Sequence, residues 1–231
     1  MNIFAFDFSM NKPAMTSFIN GKVSFYVWCS EIDDKSKDIL RLHDIKIVNR
    51  NIPPINKLDE NHLILEHVTR AANLAKMIVQ TMDDELEKNN ITDKSEIIVS
   101  NEGFAFSSKG DATLDLSGYK YILMYTLIQN GYTNFRTYSP ITIKKTAGCS
   151  KKGKKKSEEK KNSKIAMIEA LSNEPENVHI FIDTVRKFPH LLKKKSAYVQ
   201  CCDDIADSYW CLKTTLIKEN IKSEITPDVW Y

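Results

Sequence analysis

The chain has 231 residues, 42% of them hydrophobic, enough for one large α/β domain with a full core and too apolar for global disorder. No apolar run approaches the ~20 residues of a membrane span, and neither a secretory signal nor an Arg-rich transit peptide fits the N-terminus, where Asp7 interrupts the first apolar stretch. A net charge of +3, with five cysteines at no framework spacing, excludes a disulfide-built secreted scaffold and sets the expectation of a soluble, intracellular, cytoplasmic protein.

The chain opens with three strand-like runs: residues 3–8, 14–19 and 22–29. Asn20-Gly21, between the last two, is a strong hairpin signal because both residues tolerate positive φ. Residues 30–60 are polar, contain Pro53-Pro54, and read as a long loop. Residues 61–88 read as a helix whose apolar face carries Leu65, Val68, Ala72, Ala75, Val79 and Met82. A short β-branched strand over 96–100 follows, leading to Glu102, and 103–112 reads as a loop. A second long helix covers 114–130 and is stopped by Gly131. A fifth strand over 135–139 is ended by Pro140. Helices follow over 164–172, 179–187 and 203–220. The order predicts a single α/β domain over 1–231 with a mixed five-stranded sheet, an antiparallel meander plus parallel strands, flanked by helices.

Charge is unevenly spread. Residues 140–164 hold ten lysines against two glutamates, a concentration that points to a polyanion partner. Only five of the 33 basic residues are arginine. Lysine binds phosphate as a point charge, whereas arginine makes bidentate base contacts, so backbone recognition is favoured over base reading. An AT-rich genome would give the same bias. Within this segment the run at about 149–163 is expected to be a flexible insertion. It serves either as a phosphate clamp through Lys151, Lys152, Lys154, Lys155 and Lys156 or as a solvated charge run.

Three places could carry chemistry. Asp7 is a lone charge in an apolar strand, costly unless a cation compensates it; the plainer alternative is a strand-end carboxylate in solvent. Glu102 ends a strand expected to lie parallel to the first, which would bring both acids to one sheet edge, and Gly103 permits close backbone approach beside it. Asp203-Asp204-Ile205-Ala206-Asp207 opens the last helix, with Asp204 and Asp207 on one face; Asp203 could simply be the N-cap. Acids converging from two strands and a helix repel one another unless divalent cations neutralise them. Cys201-Cys202 with Cys211 could suggest zinc, but no second pair stands at ligand spacing, and reduced core cysteines are the simpler reading.

With these motifs in this order, the chain resembles the RuvC-type Holliday junction resolvases of the RNase H-like superfamily. It is most similar to the branch with fungal mitochondrial, poxviral and phage members, in which an Asp-Asp-x-x-Asp sequence opens the last helix. The resemblance implies metal-binding catalytic carboxylates at Asp7, Glu102, Asp204 and Asp207. It implies two Mg2+ ions per site, with Mn2+ able to substitute, and a homodimer making paired nicks in a four-way DNA junction. A loop after the acid probes the junction centre in such enzymes. Here it holds Phe104, Phe106 and Lys109, and the rings would either stack on bases or pack beneath the loop. The family's lysines fall on Lys144 and Lys145, after the Pro140 exit, and on Lys164, with the lysine-rich insertion between them as a departure.

Competing expectations are a broader flap or fork nuclease acting in viral DNA processing, an actin-like ATPase or sugar kinase, and a non-catalytic nucleic-acid-binding relative. Seven glycines without a phosphate-binding cluster argue against the kinase-like class. Four acids in place argue against the non-catalytic one.

Overall fold

The computed structural model describes residues 1–29, 32–50, 60–103, 111–149 and 156–220. Among these residues, six strands form one sheet in the order β4-β3-β2-β1-β5-β6. They are β1 (Ile3–Asp7), β2 (Ala14–Ile19), β3 (Lys22–Cys29), β4 (Ile45–Asn49), β5 (Ile98–Glu102) and β6 (Asn134–Tyr138). The meander β1-β2-β3 is antiparallel, and β5 pairs parallel to β1 and β6 parallel to β5. Asn20 and Gly21 turn the hairpin with φ of 51° and 80°, as a two-residue primed turn requires.

The expected five strands are corrected to six. The segment read as a loop over 30–60 contains helix α1 (Asp34–Leu42) and strand β4, which pairs parallel to β3 at the outer edge. Asp33 caps α1 by accepting from the Ser36 amide at 3.2 Å.

Helices cover both faces of the sheet. Alternation along β1 sends Phe4 and Phe6 to one side and Ile3 and Ala5 to the other. The first side packs against α2 (Glu60–Lys88) and α3 (Asp111–Gln129) through Leu74, Ile78, Met82, Leu123 and Leu127. The second packs against α5 (Lys156–Ala170), α6 (Ile180–Lys187) and α7 (Cys202–Lys218). Two further elements escaped the sequence reading: α4 (Pro140–Thr146) and a hairpin of β7 (Lys193–Lys194) with β8 (Ala197–Tyr198). The helix expected from Lys164 begins at Lys156. Among the described residues no helix is long and apolar enough to cross a membrane.

Candidate active site

The register of the sheet and the pitch of α7 bring the four predicted acids to one edge. Phe6 pairs with Asn101 across the parallel β1/β5 ladder, so Asp7 and Glu102 lie side by side one residue further on. Both share the face of Ala5 and Ser100. On that face α7 is pinned by two contacts. Ser208 shares a 2.7 Å hydroxyl hydrogen bond with Thr16, the β2 partner of Ala5. The Cys211 thiol donates to Ser100 Oγ at 3.7 Å. Four residues back from these anchors stand Asp204 and Asp207. Four helical residues rise about 6 Å and two strand residues about 6.6 Å. One helical turn from Ser208 and Cys211 therefore reaches the level that two strand steps from Ala5 and Ser100 reach, that of Asp7 and Glu102.

The frame around α7 is stiff. Trp210 Nε1 donates to the Met167 carbonyl of α5 at 2.9 Å, and Thr214 donates to Thr146 of α4 at 3.0 Å. Gly103 donates its amide to the Tyr138 carbonyl at 2.7 Å. A Cβ there would meet Thr137 Cγ2 at 3.1 Å and that same carbonyl at 3.3 Å, so β6 approaches the strand end as closely as glycine allows.

Electrostatics tie the acids into one group. Burial, followed by the charges of Asp207, Asp204 and Glu102, holds the Asp7 carboxyl well above the usual carboxylate range. Burial and the nearby acids push Asp207 up to about 7, and burial and Asp203 push Asp204 up to about 6. Burial raises Glu102 too, with Lys144 and Lys120 opposing. Lys164 forms an ion pair with Asp203. Burial disfavours its charge, but Asp203, Asp204 and Asp207 outweigh that and hold the ammonium above its ordinary range. Asp203 therefore serves as a lysine partner rather than as the N-cap; that position is Cys201, in the left-handed region at φ 73° and without a side-chain cap bond.

Among the described residues no three His, Cys, Asp or Glu side chains form a ready-made cation cage. What the fold provides is four carboxylates in one partly buried, mutually repelling environment. The donor set is all oxygen, which suits a hard cation of the Mg2+ or Mn2+ type better than zinc. Cys29, Cys201, Cys202 and Cys211 are buried free thiols, and Cys211, hydrogen-bonded to Ser100, borders the acids.

Of the other predicted residues, Lys144 is half-buried in the last turn of α4 and close enough to act on Glu102, while Lys145 is exposed. Phe104, Phe106, Lys109, Lys151, Lys152, Lys154 and Lys155 lie outside the described residues; Lys156 is the first residue of α5, and its side chain lies outside them as well. Lys120 was missed. It is buried on α3 and donates to the Glu102 carbonyl from the opposite face of the sheet, with its ammonium lowered by burial. The signal was available, a lone charge in the apolar stretch 119–124, and it is the same kind of signal that marks Asp7.

No protein-family model matches the chain, and no curated protein matches it significantly. Among solved structures, the chain is similar to Thermus thermophilus RuvC, at 8% identity and a TM-score of 0.47, covering 96% of each chain. It is likewise similar to T. thermophilus RuvC in complex with a Holliday junction substrate, at 6% identity and a TM-score of 0.46, covering 96% of this chain and 97% of that one.

Proposed function

We propose that the chain is a magnesium-dependent endonuclease that cuts branched DNA, with the four-way junction as its substrate. The observation that carries this reading is the convergence of Asp7, Glu102, Asp204 and Asp207 at one sheet edge, each raised by burial and two of them, Asp7 and Asp207, also by the charge of the others. Carboxylates in such a setting have use for a divalent cation, and these four would hold it. Bound divalent ions there would lower the pKa of an attacking water and stabilise the leaving oxygen of a phosphodiester.

The chain's own side chains handle the rest of the polyanion. Lys144 flanks the Glu102 end of the acid group and Lys164 the Asp203 end. A phosphate backbone laid across the edge meets a cation on either side of the acids. The gap between the two lysines leaves the reacting phosphate to the carboxylates and their metal. Lys120 fixes the Glu102 backbone from behind.

Two symmetric nicks in a junction require two sites, and the reading includes a homodimer. The outer surface of α2 and α3 supports it: Ile64, Leu65 and Val68 on one helix and Tyr121, Tyr125 and Ile128 on its neighbour are all exposed.

The test is cleavage of a synthetic four-way junction, a flap and a plain duplex, each with magnesium and with EDTA. The native protein is expected to nick the junction in magnesium only, and Asp7→Asn to reduce the rate at least about 100-fold while binding the junction as tightly or more so. Near-native cutting by Asp7→Asn would remove the assignment. Preferential cutting of the flap would place the protein among broader branched-DNA nucleases.

A further inference from the structure

Beside the acid group the surface opens into a cavity of about 600 Å³. Its walls carry Lys12, Lys164, Lys193 and Tyr198, with Met10 and Ile168 among its apolar lining and Asp203 and Asp204 at the margin nearest the acids. That volume falls in the range of roughly 300–1,000 Å³ typical of sites that enclose small organic groups. Of its lysines, Lys164 already flanks the acids in the nuclease reading, whereas Lys12 and Lys193 have no role there.

Two of its cations are uncommitted. Lys164 is paired with Asp203, and Lys194, next door on β7, is paired with Asp33 at 3.0 Å. Among the described residues Lys12 and Lys193 form no ion pair; Lys193 rests over the Tyr198 ring at 4.6 Å. Both are nonetheless held in place. The loop carrying Lys12 is braced by Arg50, whose guanidinium donates to the Met10 carbonyl at 2.9 Å, and by the Lys12 amide on Ser9 Oγ at 3.0 Å. The β7–β8 hairpin pairs Lys193 with Tyr198, turns through Lys195 at φ 60°, and is rooted in the core by Leu192 and Val199. The Lys194–Asp33 pair ties it to the N-terminus of α1. Lys12 is also close enough to act on the Asp204 carboxylate. Two ammonium groups without an ion pair, carried on braced backbone beside a partly apolar hollow, suit an anion joined to a less polar group. A sugar–phosphate strand is such a ligand.

We infer that the cavity between Lys12, Lys193 and Tyr198 is a phosphodiester subsite that seats the single DNA strand on the Asp204 side of the cut. This rests on the nuclease reading and extends it. Lys12 and Lys193 hold the backbone beyond the reacting phosphate and so set which linkage lies over the acids.

The experiment uses the full chain without metal, so that it does not depend on cleavage. A fluorescein-labelled oligothymidylate is titrated between 50 and 200 mM salt with the native protein and with the Lys12→Gln/Lys193→Gln double variant. Lys22→Gln, exposed at the far end of the sheet, is the control. Losing two phosphate contacts on a single strand lowers the log–log salt slope by about 1.4, which makes the affinity gap roughly sevenfold wider at 50 than at 200 mM. The control keeps the native slope, and Lys12→Arg/Lys193→Arg restores most of the binding. A native slope in the double variant, or an equal loss in the control, overturns the inference. Should melting show the double variant unfolded, acetylation of the native protein with and without the oligonucleotide decides the matter. Protection of Lys12 and Lys193 relative to Lys22 supports the subsite, and equal labelling of all three overturns it. Magnesium-dependent cleavage with no slope change removes the subsite alone. A slope change in a protein that cuts no DNA keeps the strand-binding cavity and removes the nuclease reading.

Discussion

Asp207 shows at the scale of one residue what the site costs the fold. Its carboxyl is raised from 3.8 to about 7, so between those values the folded protein binds more protons than the unfolded chain. By linkage, stability is present below the unfolded pKa and is lost as pH rises through the folded one. His179 works the other way, since burial lowers its imidazole to about 4, and a bare pH profile would mix the two. The clean measurement is the difference in melting temperature between native and Asp207→Asn protein in EDTA. The variant should gain on the order of 5 °C at pH 8 and much less at pH 5, taking a few kcal/mol of repulsion at roughly 2–4 °C per kcal/mol. Magnesium at pH 8 should narrow the gap by stabilising the native protein. A gap unchanged from pH 5 to pH 8 would mean that Asp207 is not held against its neighbours. The approach of Asp7 and Asp207 to one edge was foreshadowed in the sequence because a charge inside an apolar strand or beside Tyr209 and Trp210 is costly without compensation, whereas Glu102 alone reads as a plain strand-end residue. Lys12 and Lys193 were not foreshadowed, because a lysine in a polar loop reads like any other until a cavity surrounds it.

At the scale of elements, the helix that carries Asp204 and Asp207 is deeply embedded. Ile205, Tyr209, Leu212 and Leu216 of α7 are buried in the same core as Ile3 and Ala5, so the acids inherit the rigidity of the core. The long helices α2, α3 and α7 were located because their periodicity extends over many residues, but the face expected for α2 is corrected at its start. Leu65 and Val68 are exposed, and Ala71, Leu74 and Ile78 carry the core contact together with Ala75, Val79 and Met82. α1 and β4 were missed because the polar composition of 30–60 and Pro53-Pro54 read as a loop, and their periods, such as Ile45 and Ile47 around Lys46, run for only a few residues. α4 lies outside the sequence expectation although its start is written plainly: Ser139 accepts from the Thr142 amide and Pro140 takes the first helical position, and the same Ser-Pro pair also ends strand β6. The paired helices α2 and α3 carry a prediction of their own. If their exposed apolar surface joins two copies, the protein sediments as a dimer, and Leu65→Glu/Tyr125→Glu sediments as a monomer that still melts near the native temperature. A native protein that is monomeric at micromolar concentration would remove the dimer and with it the paired nicks.

At the scale of the whole molecule, a mixed sheet aligns two parallel strands so that their last residues, Asp7 and Glu102, stand together, and lays one helix across them so that two more acids arrive one turn before its anchors. Cations lie on both flanks: Lys144 toward Glu102, and Lys164, Lys12 and Lys193 on the side of α7's first turn. On the proposed reading, such an edge would attract a polyanion at its margins and repel it at its centre in the absence of a divalent cation. The central claim is that the four acids act as one divalent-cation site. It is tested most directly by titrating Mn2+ into the protein at pH 8 and reading the free ion by electron paramagnetic resonance. The account predicts uptake of Mn2+ that Mg2+ displaces. It further predicts an affinity at least about tenfold weaker in Asp7→Asn and in Asp207→Asn, and a much smaller loss in Asp203→Asn, whose carboxylate is engaged by Lys164. Mn2+ binding in Asp7→Asn indistinguishable from that of the native protein would contradict it.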